Sequence, residues 1–429
     1  MKQELARKII DYLARSGMCK DPTWLAGLKR RQWEQVIQWL DEGGLTLFWW
    51  NRCKTTGSEA LVPAEVRAQL DRNLLDNALR VAAMAEEFDS INRRFEELGV
   101  RYVALKGFAL IPAYFPDAAL RTSYDYDYLV SPDSMERAAK ALISVGYHRT
   151  PVRTAHHVKY APVGWTACPP PGRDRLYSRQ FRRTVELHPR LWNLESLGIR
   201  MALPEKPWER RQQRTSRGLR FYGLWEEDEL TYQVLHVFWH ILNCWCRLGS
   251  LFEIAYFLDQ RAGDSVFWEQ FWVYLGNYPP LPRLAGAVFQ LAAGLFGAAV
   301  PEAVRTESLQ SPPDSLALWV ERYGRAAALN NFARDKHSSL FLLREFIEIG
   351  DEAAWRHVRG QRLFPLHLPG RTAKAPLGGV SAGLKSAWKQ RVYIAERLAH
   401  HLKAAILYSW HSPRWKRMRG ERRGTGATS

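Results

Sequence analysis

The chain has 429 residues, of which 46% are hydrophobic and 12% aromatic, and this content excludes an intrinsically disordered protein. Its length allows two or three domains with a substantial core. The five cysteines are odd in number and irregularly spaced, which excludes a disulfide framework and predicts a reducing, cytoplasmic compartment. Residues 1–17 are charged and amphipathic, unlike a signal peptide.

The formal net charge of +17 is concentrated near the C-terminus. From Arg356 onward, sixteen Lys and Arg residues accompany only Glu396 and Glu421. The remaining sequence is almost balanced in charge. The positive charge therefore belongs mainly to one segment, which does not favour a protein that binds nucleic acid over its whole surface.

Helical periodicity dominates the first 98 residues. Apolar residues recur at helical spacing from Leu25 to Leu45, where Gly43 and Gly44 end the pattern. A longer pattern follows Pro63 and closes at Gly99. These patterns predict an N-terminal helical region over residues 1–95.

Short apolar runs then replace the helical pattern. Val100–Leu105, Tyr124–Val130 and Arg182–His188 predict strands, and Met135–Val145 predicts a helix between them. This alternation predicts a small sheet with helices, over residues 96–205, in a chain of mixed α+β class.

Helical periodicity returns from Trp225 to about Trp355 and predicts a helical domain over residues 206–355. Within it, the apolar run Leu284–Val300 predicts a buried helix, with a membrane span as the alternative. Residues 356–429 are predicted to hold a Pro- and Gly-rich linker, a basic amphipathic helix at Ala382–Trp410 and a basic tail.

Three acidic residues on two predicted strands suggest a divalent metal site. Asp125 and Asp127 point to the same face of their strand, because side chains alternate with a period of two. Glu186 supplies a third carboxylate, although it could instead pair with a neighbouring arginine such as Arg183. Mg²⁺ prefers oxygen ligands, and two such ions can clamp the attacking and leaving oxygens of a nucleotidyl transfer. We expect these three residues to be catalytic and to bind Mg²⁺, with Mn²⁺ as the alternative.

Four further residues are candidates for contact with the nucleotide. Lys106 and Gly107 follow a predicted strand and could place an ammonium and a backbone amide at the phosphates. The alternative for Lys106 is a surface ammonium. Arg121 could bind the triphosphate or pair with Asp117. His188 shares the strand face of Glu186, so a substrate contact and a structural role are both open.

Together these motifs resemble the uncharacterised nucleotidyltransferase family of the DNA polymerase β-like superfamily. The resemblance rests on Leu105-Lys106-Gly107, Arg121–Val130, Gly146-Tyr147 and Val185–His188, and extends to Trp245-x-Arg247-Leu248. It implies metal-dependent transfer of an NMP group from a nucleoside triphosphate, such as ATP, to a hydroxyl-bearing acceptor, with release of pyrophosphate. It also implies that Asp125, Asp127 and Glu186 are the metal carboxylates.

The sequence departs from the superfamily pattern at three places. Lys106-Gly107 stands where a Gly-Gly or Gly-Ser phosphate loop is usual, and the gap from Gly107 to Asp125 is longer than is common. Glu253 stands where an aspartate is expected. These departures keep open a catalytically degenerate nucleotide-binding accessory protein. A second alternative is a basic nucleic-acid-binding protein whose carboxylates are structural.

The acceptor and the role of the tail are left open by the sequence. The acceptor could be a small molecule, a peptide, a protein or RNA. The tail, Arg414–Arg423 with Trp410 and Trp415, could contact nucleic acid or an anionic membrane peripherally, or it could be a disordered arm. His156 and His157 could border the acceptor pocket.

One further cluster raises the question of zinc. His236, His240 and Cys244 fall at i, i+4 and i+8 and would share one face of a continuous helix. Their apolar neighbours favour core packing instead.

Overall fold

The computed structural model describes residues 3–14, 21–153, 157–164, 176–177, 183–192, 197–199, 201–279, 281–301, 315–329, 336–347, 351–364 and 380–425. The predicted loop Pro169–Arg175, the predicted Pro- and Gly-rich linker and His156 lie outside these residues. The chain divides into two compact units. The first comprises Met1–Asn193, Met201–Phe238 and Arg247–Ser308, and the second comprises Leu194–Arg200, Trp239–Cys246 and Leu309–Ser429.

The first unit begins with helices, as predicted. They are α1 (Gln3–Leu13), α2 (Arg30–Gly43), α3 (Thr46–Thr55) and α4 (Ala64–Glu97). Helix α2 ends at Gly44, whose φ of 71° lies in the left-handed region that glycine adopts without strain. A Cβ at Gly44 would also meet Nε of Arg247 at 2.5 Å, so a side chain here would displace the end of Arg247.

A seven-stranded mixed sheet follows, with spatial order β3-β4-β5-β2-β1-β7-β6. Its strands are β1 (Tyr102–Ala104), β2 (Asp125–Val130), β3 (Tyr147–Arg153), β4 (Val158–Pro162), β5 (Thr184–His188), β6 (Gln212–Ser216) and β7 (Leu219–Gly223). Strand β2 runs parallel to β5 and antiparallel to β1. Helix α5 (Met135–Ser144) connects β2 to β3. The predicted α+β class is confirmed.

Strands β1, β2 and β5 and helix α5 form where the sequence predicts them. Strands β4, β6 and β7 were not predicted. Strand β6 reads Gln-Gln-Arg-Thr-Ser, and this edge strand carries no apolar run that would reveal it. Strands β6 and β7 follow residue 205. The sheet therefore continues beyond residues 96–205, the segment in which the sequence predicted it. The four-part division of the chain stays a prediction, since the compact units join segments that are far apart in sequence.

The two faces of the sheet have different neighbours. Tyr126 and Tyr128 of β2 belong to a buried aromatic cluster with Phe88 and Phe95 of α4. Leu129 points to the opposite face and belongs to a smaller cluster. Burying each large apolar side chain contributes about 1.5–3 kcal/mol, so the α4 face anchors the sheet. The opposite face is the one that carries Asp125 and Asp127.

Four more helices follow the sheet, and the last of them contains most of the apolar run. They are α6 (Glu226–Leu242), α7 (Leu248–Gln260), α8 (Ser265–Gly276) and α9 (Leu281–Phe296). Helix α9 is a buried helix, as predicted for this run. Among the described helices, none combines the length and the apolar character needed to cross a membrane.

The second unit is helical in its described C-terminal part. It contains α10 (Ser315–Trp319), a π-helical turn (Val320–Gly324), α11 (Arg325–Leu329), α12 (Lys336–Arg344), α13 (Glu352–Leu363) and α14 (Val380–Thr425). Helix α14 continues through the tail, so the interpretation of the tail as a disordered arm is wrong as far as Thr425. Trp415 packs against Tyr323 and Phe341 and is 3% exposed, whereas Trp410 is 80% exposed.

Candidate active site

The three predicted carboxylates lie on one face of two adjacent parallel strands. In the register of β2 and β5, Asp127 is the partner of Glu186, and Asp125 lies two residues earlier on the same face. One oxygen from each carboxylate lies within 4.8 Å of the others. The fold therefore brings together residues that are some sixty positions apart in sequence, in an arrangement that could hold a metal ion.

Asp127 is buried between two basic side chains. Its Oδ2 lies 3.1 Å from Nζ of Lys106, and its Oδ1 lies 3.0 Å from Nε2 of His188. Burial alone would raise the pKa of Asp127, but Lys106 and His188 hold it well below its ordinary value. Asp127 is therefore ionised over the working pH range.

Lys106 is not a surface ammonium, because its side chain is 21% exposed and lies against the carboxylate cluster. Its Nζ is also 5.8 Å from the ring centre of Tyr232. Burial would lower the pKa of Lys106, but the negative charge of Asp127, with smaller contributions from Tyr232 and Asp125, raises it. Lys106 thus supplies a permanent positive charge at the end of β1.

Asp125 is electrostatically frustrated in the absence of a cation. Burial, followed by the nearby negative charges of Asp127 and Glu186, raises the pKa of Asp125 to about 7. A divalent cation between these carboxylates would replace the proton and relieve the repulsion.

Glu186 divides its two oxygens between different neighbours. Oε1 accepts a hydrogen bond of 2.9 Å from Nζ of Lys159, while Oε2 lies 3.5 Å from Nε2 of His157 and 4.0 Å from Nε2 of His188. The sequence suggested pairing with an arginine such as Arg183. Lys159 was missed because β4 was not predicted, although the alternation Val-Lys-Tyr-Ala before Pro162 was a usable signal.

Arg121 forms a buried ion pair with Glu253 and does not pair with Asp117. Its Nε lies 2.7 Å from Oε1 of Glu253, and its Nη1 donates to Oγ of Ser123 at 2.8 Å. Asp117 instead pairs with Arg217 at 3.0 Å. Glu253 of helix α7, which stands where an aspartate was expected, therefore holds Arg121 in place.

The long segment between Gly107 and Asp125 is fixed by buried polar side chains. Nδ2 of Asn77 donates to the carbonyls of Ala119 (2.7 Å) and Arg121 (3.1 Å). Arg80 donates to the carbonyl of Ser123 at 2.9 Å. These bonds satisfy the backbone of an irregular segment that would otherwise be costly to bury.

Arg247 also holds this segment. Nη2 of Arg247 donates to the carbonyl and the hydroxyl of Thr122, at 2.9 and 2.8 Å. Arg247, which belongs to the helical motif noted in the sequence, therefore positions the approach to β2.

A cleft open to solvent is lined by residues of helix α4, of the segment 106–123 and of the start of β2. Its polar residues are Lys106, Arg121, Ser123, Asp125 and Asp127, with Tyr126 beside them. Its other walls consist of Val81, Met84, Phe88, Gly107, Phe108, Phe115 and Ala118. The lining thus combines charged and apolar side chains, a combination suited to an organic anion.

The zinc interpretation of His236, His240 and Cys244 gains no support. Helix α6 ends at Leu242, and Cys244 has a φ of 60°, so it does not continue the helical face. Across the described ranges, the residue groups that could hold a metal both lie at the sheet and both include Glu186.

A family model described as an uncharacterised nucleotidyltransferase matches residues 29–297 of this chain. The match covers well over half of the 429 residues and includes all seven strands and every candidate site residue described above. The chain matches none of the curated proteins and none of the solved structures with which it was compared.

Proposed function

We propose, from the premise that this chain belongs to the uncharacterised nucleotidyltransferase family, that it transfers an NMP group from a nucleoside triphosphate to a hydroxyl-bearing acceptor. Pyrophosphate is the second product, and ATP is the first donor to test. The observation that carries the proposal is the convergence of Asp125, Asp127 and Glu186 on one face of the sheet, beside a cleft with two cationic residues.

The proposed metal ligands are the carboxylates of Asp125, Asp127 and Glu186. Their donor atoms are all oxygen, which suits Mg²⁺, or Mn²⁺ as the alternative. Burial, together with repulsion from Asp127 and Glu186, raises the pKa of Asp125, which supports a site built for positive charge. Bound there, the metal would supply charge neutralisation on the triphosphate and on the attacking hydroxyl.

Four residues are proposed to contact the nucleotide or to orient the carboxylates of the metal site. The lining of the cleft includes the cationic side chains of Lys106 and Arg121. Gly107 has a φ of 62°, and a Cβ there would meet no atom within 4 Å, so open space lies beside the end of β1 for a phosphate. His188 fixes the orientation of Asp127 through its hydrogen bond and faces the same cluster.

The proposal extends to the localisation and the partners of the protein. We assign the protein to the cytoplasm, with peripheral contact to an anionic membrane or to nucleic acid through helix α14. The exposed Trp410 and the basic residues around it support such a contact. The acceptor class, whether small molecule, peptide, protein or RNA, is for the experiment to identify.

The direct test is pyrophosphate release from each of the four ribonucleoside triphosphates, with Mg²⁺ or Mn²⁺ and cell extract as the source of acceptor. Mass spectrometry of the products then identifies the acceptor. Asp125→Asn and Asp127→Asn should abolish release, and Asp133→Asn, an exposed carboxylate paired with Arg101, should not.

Two results would contradict the proposal. Tight nucleotide binding without pyrophosphate release would favour the catalytically degenerate accessory protein. Binding of nucleic acid with no response to nucleotide would favour the basic nucleic-acid-binding protein.

A further inference from the structure

A second cluster of metal-binding side chains adjoins the three carboxylates. His157, which precedes β4, and His188 of β5 both lie next to Glu186. One ligand atom from each of these three residues lies within 4.8 Å of the others. Their side chains are 19% (His157), 13% (Glu186) and 13% (His188) exposed, so all three are largely shielded from solvent.

The distances within this cluster are close to those of a metal site. Oε2 of Glu186 lies 3.5 Å from Nε2 of His157 and 4.0 Å from Nε2 of His188. Ligands about 2.0–2.1 Å from a tetrahedral ion are roughly 3.3–3.4 Å apart. The distance between His157 and Glu186 already fits this geometry, and a side-chain movement would have to bring Nε2 of His188 closer to Oε2 of Glu186.

Glu186 can serve this cluster without losing its ion pair. Its Oε1 faces Lys159 at 2.9 Å, whereas its Oε2 faces the two imidazoles. Nε2 of His188 also lies 3.0 Å from Oδ1 of Asp127. Binding of an ion at this nitrogen would release its proton to solvent and replace that hydrogen bond with a metal bond. Lys159 then balances part of the negative charge from outside the cluster.

The ligand chemistry differs from that of the three carboxylates. Imidazole nitrogen suits Zn²⁺ and its neighbours in the transition series, whereas a set of oxygen ligands suits Mg²⁺ and Mn²⁺. Two histidines and one glutamate are also a known ligand set of catalytic zinc, in which a fourth position stays open.

We propose that His157, Glu186 and His188 bind a divalent transition-metal ion such as Zn²⁺, adjacent to the Mg²⁺ site and sharing Glu186 with it. Such an ion would lower the pKa of a water molecule or an acceptor hydroxyl bound at its open position. This proposal rests on the proposed function only through Glu186, which both sites share. Its test is metal binding in the absence of nucleotide.

The test uses Co²⁺, which has a visible spectrum, as a substitute for Zn²⁺ in the full-length, metal-stripped protein. Wild type should bind one Co²⁺ with an absorption spectrum typical of nitrogen and oxygen ligands. His157→Gln should weaken this binding at least about 10-fold, because losing even an indirect partner of a metal ligand costs that much. His148→Gln, which removes an exposed histidine of the neighbouring strand β3, should bind Co²⁺ like wild type.

Asp125→Asn separates the two metal sites. It removes a ligand of the oxygen-only group alone, so it should lose the stabilisation by Mg²⁺ and keep the Co²⁺ spectrum. Loss of turnover in this variant, with Co²⁺ binding intact, concerns the proposed nucleotidyl transfer and leaves the second site standing.

A second test uses the wild-type protein, so its result does not depend on whether a variant folds. Zn²⁺ should protect His157 and His188 from acylation by diethyl pyrocarbonate, read by peptide mass spectrometry, while His148 stays reactive. Equal Co²⁺ affinity in wild type and His157→Gln, or acylation of His157 and His188 that ignores Zn²⁺, would overturn the proposal.

Discussion

Asp125 shows how its neighbours set the protonation state of one side chain. Burial and the charges of Asp127 and Glu186 raise its pKa to about 7, while Lys106 and His188 keep the pKa of Asp127 low. Two aspartates that are identical in the sequence therefore differ in the folded protein. The alternation of a strand predicts that both point to one face, but it carries no information about the cations beside each.

The raised pKa of Asp125 predicts how metal-free stability depends on pH. Between about pH 4 and 7 the unfolded carboxyl is ionised while the folded one keeps its proton, so the stability due to this group falls as pH rises. Asp125→Asn should therefore stabilise the metal-free protein at pH 8. The gain should be about 1–3 kcal/mol, less than the roughly 4 kcal/mol of three pKa units, because Asp125 is only partly buried.

Thermal unfolding at pH 6 and pH 8, with and without Mg²⁺, measures this effect. In wild type the increase in Tm caused by Mg²⁺ should be larger at pH 8, where no proton competes for Asp125. The same increase in Asp125→Asn as in wild type would contradict the assignment of Asp125 as a metal ligand.

Lys106 is predicted to stabilise the folded protein as well as to bind the nucleotide. Lys106→Met removes an ammonium from beside the buried carboxylate of Asp127, which should cost about 3–5 kcal/mol in chemical unfolding. Mg²⁺ should restore part of this loss by supplying positive charge. The control is Lys159→Met, whose partner Glu186 is more exposed than Asp127, so its cost should be smaller. Equal losses in the two variants would argue against this account.

At the scale of the elements, helix α4 supports the sheet and also fixes the segment that leads into β2. Its aromatic residues Phe88 and Phe95 pack on the sheet, and its polar residues Asn77 and Arg80 bind the backbone before Asp125. The position of the carboxylates thus depends on a helix that carries no proposed metal ligand.

Asn77→Ala tests this dependence. It removes two partly buried hydrogen bonds to backbone carbonyls, so the free energy of unfolding should fall by about 1–3 kcal/mol. The KM for nucleotide should rise because Arg121 loses part of its support. Asn73→Ala, one turn earlier on the same helix, serves as the matched control and should change neither quantity. A stable Asn77→Ala variant with unchanged KM would show that the segment is held without this residue.

Helices and strands with a clear hydrophobic period could be predicted from the sequence, and so could the approach of β2 to β5. The ends of α2 and α4 followed from glycines at Gly44 and Gly99, which adopt φ of 71° and 60°. Strand β6 could not be predicted, because a polar edge strand has no periodic signal. The pair between Arg121 and Glu253 joins residues 132 positions apart, and its geometry depends on the folded chain.

At the scale of the whole molecule, the excess positive charge belongs largely to the C-terminal segment that contains α14. This helix buries Trp415 and leaves Trp410 exposed among basic residues, so one tryptophan supports the fold of the second unit and the other is available to a partner. Deleting the tail would not separate the structural role of Trp415 from the proposed contact role of Trp410, because it would remove Trp415 as well.

A single substitution separates them. Trp410→Ser should lower binding to anionic phospholipid vesicles or RNA at low salt and leave the Tm unchanged, because the side chain is 80% exposed. Trp415→Ala should lower the Tm. If Trp410→Ser binds vesicles and RNA as wild type does, α14 has no role as a contact surface through this residue.

The central claim is that Asp125, Asp127 and Glu186 hold a divalent metal ion together. Anomalous diffraction from crystals grown with Mn²⁺ and a non-hydrolysable ATP analogue tests it most directly. We predict a manganese peak bonded to oxygens of these three residues and to the triphosphate. A nucleotide bound with no manganese between it and the three carboxylates would contradict the claim.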